Sequence, residues 1–173
     1  MSVVPGDPAS LSACARTVRE VARRLDDHAT GVRAAYRELG DGWTGRASVS
    51  ARRAGAGLAD ATSATTAELD RVGRVLQDHA TDLADLVARA RALEERACAA
   101  GLEVRDGRVE RSWGVTGAAD ADADRARESL REALQADLDL VLAQHTRRRD
   151  WVLDVLRGST RALGEVSHGL RQG

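Results

Sequence analysis

The side chains best suited to chemistry in this 173-residue sequence are His28, His79, His145 and His168, Cys14 and Cys98, and the closely spaced Asp120, Asp122 and Asp124. A zinc-type site needs three or four ligands brought together. Counting back from the expected turns puts His28 level with about Leu58, His145 with about Gly73 and His79 near Asp139, so no two histidines share a level. The cysteines fall in different helices and do not converge with them, which also argues against a disulfide framework. The three aspartates lack the glycine-containing loop and closing glutamate of a calcium site, and negative charge at a helix start suits the helix dipole. Gly55 and Gly57 are not followed by the lysine of a phosphate-binding loop, and no serine, histidine and aspartate combine into a nucleophilic pattern. Arg147-Arg148-Arg149 reads as a solvated helix face. The expectation is a chain that is not an enzyme and holds no cofactor and no metal.

Composition points the same way. Apolar residues make up 43% of the chain and charged residues 31%, enough for a core. That core contains no Phe, one Tyr and three Trp, and its mass is Ala, Leu and Val, a set that favours helices over a sheet or an aromatic-lined pocket. The net charge is −1 and every basic residue is Arg; no basic stripe marks a nucleic-acid partner. No apolar run is long enough for a membrane span. The segment Met1–Asp7 lacks a basic region and an apolar stretch, so export, if it occurs, is expected by a route that reads no ordinary signal peptide.

The elements that would position these residues are helices. Asp7 and Pro8 suit a helix start. Leu11, Val18, Leu25, Val32 and Leu39 then recur every seven residues, with Ala15, Ala22 and Ala29 completing the stripe, until Gly40-Asp41-Gly42 ends the pattern. A second helix starts near Gly45 or Arg46. It is weak from Ala47 to Gly57 and then regular through Leu58, Thr62, Thr65, Leu69, Val72, Leu76, His79, Leu83, Leu86, Ala90, Leu93 and Ala97, stopping near Gly101. Arg105-Asp106-Gly107 between Leu102-Glu103-Val104 and Arg108-Val109-Glu110 predicts a short hairpin, with Trp113 as a lid near its end. An isolated hairpin is marginal in water, so this one should lean on the helices. A third helix is expected from Thr116–Asp120 almost to the end, its face carried by Leu130, Leu134, Leu138, Val141, Val152, Val155, Leu156, Leu163, Val166 and Leu170, with Trp151 beside it.

The predicted fold is all-α: an elongated antiparallel three-helix bundle, with a helical hairpin over 1–100, a β-hairpin connection over 101–116 and a third helix over 117–173 packing back. At 1.5 Å per residue the second and third helices span roughly 80 Å each and the first only about 45–50 Å. The half of the second helix far from the Trp43 turn therefore lacks a third helix, and Leu76, His79, Leu83, Leu86, Ala90 and Leu93 are expected to form an incompletely covered shelf, the predicted partner interface.

Between the first two helices stand Gly42-Trp43-Thr44-Gly45-Arg46-Ala47, preceded far upstream by Pro5-Gly6-Asp7-Pro8. A Trp at such a turn can bury its ring across the hairpin end, while Gly lets the backbone reverse. With these residues the chain, from Val4 to about Ala100, resembles the WXG (ESAT-like) superfamily of type VII secretion substrates, and in particular the longer actinobacterial N-terminal secretion domains of that kind. The resemblance carries Trp43 and Gly45 as motif positions. It implies pairing with another helical protein, as a homodimer or a WXG-like heterodimer, and export without a cleaved signal peptide after recognition by a secretion ATPase. The family's tail signal, Tyr-x-x-x-Asp/Glu, does not follow Ala97; the one tyrosine is Tyr36. The function expected is therefore a helical interaction protein, secreted or a partner of a secreted substrate. The alternative is a cytoplasmic adaptor, immunity-like or chaperone protein that is not exported.

Overall fold

The structure is a computed structural model that describes residues 3–40, 42–112 and 121–172, with backbone alone at 39–40. In chain order it contains α1 (Pro8–Gly40), α2 (Arg46–Ala99), β1 (Leu102–Arg105), β2 (Arg108–Arg111) and α3 (Ala121–Gln172). The helix start at Pro8 and the stop at Gly40 are those the sequence predicts. The stretch Ala47–Gly57 is continuous helix despite its glycines. The expected placements of Trp113, of Asp120 and of a helix start at Thr116–Asp120 lie outside the described residues.

Residue contacts divide the chain into two compact units, and the division runs through the middle of α2 and α3. One unit comprises 9–78 and 152–173. Here α1 and α2 run antiparallel: Gln77 Nε2 donates to Ser12 Oγ at 3.3 Å near one end, and the Tyr36 ring lies on Gly55 near the other. Ala15, Val72, Leu76 and Val152 form a buried cluster flanked by Leu11, Val18, Val75 and Leu156. Small residues set the approach. A Cβ at Gly73 would collide with the Arg19 side chain and lie 3.3 Å from the Ala15 carbonyl oxygen. Arg71 bridges the helices, holding Glu68 on its own helix and donating to Ser159 Oγ of α3 at 2.8 Å. That charge-assisted bond keeps the Glu68 carboxyl below its ordinary range.

The other unit comprises 1–8 and 79–151. Its core is Val4, Leu83, Leu86, Ala90, Leu93, Ala97, Leu102, Val109, Leu134, Leu138 and Val141, all buried. The N-terminal segment packs on α2, since a Cβ at Gly6 would sit 2.9 Å from Leu83 Cδ2, and the Val3 N–H donates to Glu94 Oε1 at 3.4 Å. Arg148–Asp82 at 2.6 Å, Arg89–Gln144 at 3.0 Å and Arg96–Asp137 at 3.7 Å set α3 antiparallel along this part of α2.

The ribbon is the one expected. Strands β1 and β2 pair antiparallel with Arg105 opposite Arg108, and the two turn residues both have positive φ, Asp106 at 51° and Gly107 at 77°. Two such residues make the primed turn that matches strand twist, which is why Asp-Gly is favoured there. The closing pair Arg105–Arg108 leaves the N–H of the next residue, Val109, pointing out of the ribbon. Gln135 of α3 meets it: its Oε1 accepts from Val109 N at 2.7 Å, and its Nε2 donates to the Gly107 carbonyl at 3.1 Å and to Asp139 at 2.8 Å. Val109 is 3% exposed, so Gln135→Ala leaves a buried donor unpaired, an expected loss of about 1–3 kcal/mol. Hydrogen exchange checks it: the Val109 amide should lose protection while α1 amides are unchanged.

Candidate functional site

Among the described residues, the side chains first considered for chemistry do not come together as a metal-binding group: no three or more His, Cys, Asp or Glu side chains are placed to hold a metal ion. Cys14 and Cys98 are exposed free thiols. Asp122 and Asp124 pair with Arg125 and Arg127 one turn on, as acidic residues at a helix start do. His168 is exposed and bonds Gln172 at 2.8 Å. The arginine run does not act as a patch. Arg148 turns to Asp82 and lies 4.4 Å above the Trp151 ring, and Arg149 pairs with Asp150. No helix is long and apolar enough to cross a membrane among the described residues.

Two expectations about the histidines and the shelf are corrected. His79 and His145 are both buried, and His145 lies near enough to His79 to contribute to the lowering of its pKa, so the two lie close to one level. The expected register was counted from the Gly107 turn. The hairpin instead folds onto α3, so that Arg111 reaches Glu128 at 3.8 Å and the first turns of α3 lie along the ribbon. Arg148 therefore comes level with Asp82, not with residues much nearer the α2 start. The same packing removes the predicted shelf. Leu76, His79, Leu83, Leu86, Ala90 and Leu93 are all less than 9% exposed within the single chain. The sequence reading left this stretch of α2 short of a covering element because α1 is too brief to reach it. It did not count the segment Val3–Pro8 and the ribbon as cover, and these lie in the same unit as residues 79–93 of the stripe.

The open apolar surface is at the other end of the hairpin, and it is built from the turn upward. Gly45 has φ of 106°, a backbone state that side chains disfavour. From there its carbonyl accepts the first helical bond, from Val49 N at 3.3 Å, and the Ser48 hydroxyl at 2.8 Å. Ser48 is buried. Arg52, one turn on, folds back to donate to the Trp43 carbonyl at 3.0 Å and to Ser48 at 3.3 Å. Trp43 is exposed, at 42% for the residue, and not buried across the hairpin end as expected; it is the backbone of Trp43 that the turn holds.

Beside this turn α1 and α2 leave a groove of roughly 850 Å³ between them. Leu25, Val32 and Tyr36 of α1 face Gly55, Ala56, Leu58 and Ala59 of α2 across it, and Arg33, Arg37 and Arg52 stand on its edges. No α3 residue is among its lining. Val32, Tyr36 and Leu58 are 39%, 37% and 41% exposed, although Val32 lies on the same heptad stripe that is half-buried at Leu11, Val18 and Leu25. The sequence does not show the groove, because Gly55 and Gly57 weaken the helical pattern over Ala47–Gly57. The residue that marks this stretch is Gly55, on which the Tyr36 ring packs: a Cβ there would lie 3.2 Å from the ring.

Comparison of the chain with protein-family models, with curated proteins and with solved structures finds no match.

Proposed function

We propose that the protein is a non-enzymatic helical interaction protein, acting as a WXG-like substrate of type VII secretion or as the partner of such a substrate, and that it works by pairing with another helical protein. The observation that carries the reading is the exposed apolar groove beside the Trp43-Thr44-Gly45 turn, a surface that an α-helical partner can fill. The turn itself supports it, because Gly45 holds a backbone state that explains why glycine stands there. Export is the part that rests on the resemblance alone. It is tested by following the protein in culture filtrate of its native host, with and without the secretion ATPase. Appearance in the filtrate that is lost without the ATPase is the expected result. Retention in the cells in both strains would replace export with the cytoplasmic adaptor reading.

A further inference from the structure

We infer that the groove beside the Trp43 turn takes an amphipathic helix whose apolar face is flanked by carboxylates, supplied by a different protein rather than by a second copy of this chain. The inference rests on the helix-pairing reading above and adds the chemistry of the partner. The floor is apolar and shallow, with Leu25, Val32 and Leu58 around the small residues Gly55, Ala56 and Ala59. Such a surface reads a helix through anchors at i, i+3, i+4 and i+7. The charged lining is of one sign: among the described residues Arg33, Arg37 and Arg52 line the groove and no Asp or Glu does.

These charges are only partly used within the chain. Arg33 reaches Asp26 at 3.7 Å, outside the groove. Arg37 donates to the Arg33 carbonyl at 3.4 Å and Arg52 to the Trp43 carbonyl and Ser48. Among the described residues neither Arg37 nor Arg52 has a carboxylate partner. A two-fold contact between copies brings the same patch against itself, which would set arginines against arginines around an apolar centre. Like charges at an interface edge oppose association, and opposite charges speed and select it. The basic edge is local, since the chain as a whole carries a net charge of −1. It therefore selects by position, not by the field of the whole molecule.

The test uses the full chain and two synthetic peptides of about 18 residues with leucines at i, i+3, i+4 and i+7, one flanked by glutamates and the other by arginines. Fluorescence anisotropy of the labelled peptides should show saturable binding of the glutamate-flanked one, weakening as salt is raised, and none of the arginine-flanked one. The double variant R33E/R37E should weaken the glutamate-flanked peptide by about tenfold or more and gain the arginine-flanked one. Leu58→Asp should abolish binding of the glutamate-flanked peptide. All three substituted residues are exposed, and an unchanged helical circular dichroism spectrum confirms that the variants fold. Equal binding of both peptides, no binding of either, or a wild-type chain that is dimeric by sedimentation and becomes monomeric on Leu58→Asp overturns the proposal. Peptide binding by a protein that is never exported would leave this site standing and remove the secretion reading. Export by a protein that binds neither peptide would do the reverse.

Discussion

Leu86→Asp should unfold the part of the chain that contains it. Leu86 is 2% exposed, among Leu83, Ala90, Leu93 and the α3 side chains Leu134 and Leu138, all buried. Truncating such a leucine to alanine costs about 2–5 kcal/mol through lost transfer energy and the cavity left behind. Aspartate adds a carboxylate that must either be buried without a partner or drag the helix into water, so the loss should exceed about 4 kcal/mol. That is comparable to the whole stability of a small domain. The measurement is urea unfolding followed by circular dichroism, with loss of helical signal in native buffer as the expected outcome. The partner-interface role that periodicity alone suggested for Leu86 predicts something different: a folded protein that has merely lost a binding face. Leu58→Asp is the matched control. Leu58 is 41% exposed at the groove, and the substitution should change stability by no more than about 0.5 kcal/mol. A stable, fully helical Leu86→Asp protein would show that α2 is not buried there.

The contrast between those two leucines marks where sequence reasoning stops. Periodicity identified both as members of one apolar stripe, because the repeat of an amphipathic helix is a local property of the chain. It also placed the limits of α1 and the Asp106-Gly107 turn, since capping and turn preferences depend on neighbouring residues. What covers a stripe depends on distant ones. Val3–Pro8 has no helical periodicity, yet Val4 is fully buried and Gly6 lies against Leu83. The register of α3 on α2 hinges on Gln135 clasping the ribbon, one glutamine that no helical pattern distinguishes from a surface residue. The paired burial of His79 and His145 followed from the same register and was hidden for the same reason.

That burial has a consequence in acid. His79 is 7% exposed, and its Nδ1 is enclosed without a hydrogen-bond partner among the described residues. Its pKa is lowered from 6.5, first by desolvation, then by the nearby Arg148 and by His145, with Asp82 opposing. A histidine with a lowered folded pKa is neutral in both states at pH above 6.5, where it exacts no proton-linked cost. As pH falls below 6.5 the unfolded chain binds the proton first, so stability declines until the folded pKa is passed. The depressed carboxyls act lower down. Glu20, Glu68 and Glu128 stabilise the fold above 4.5 and lose that contribution only as pH falls below it. Between neutrality and pH 5 the His79 contribution is therefore separable from theirs. Replacing His79 with Leu removes the proton and the unpaired ring nitrogen together, and an apolar side chain suits the stripe between Leu76 and Leu83. The expected result is a gain of about 1–3 kcal/mol at pH 7 and a shallower fall in urea midpoint from pH 7 to pH 5 than in the unaltered chain. An equal slope in the His79→Leu and unaltered proteins would mean that water reaches the ring in solution and that the imidazole is not confined by the packing of α2.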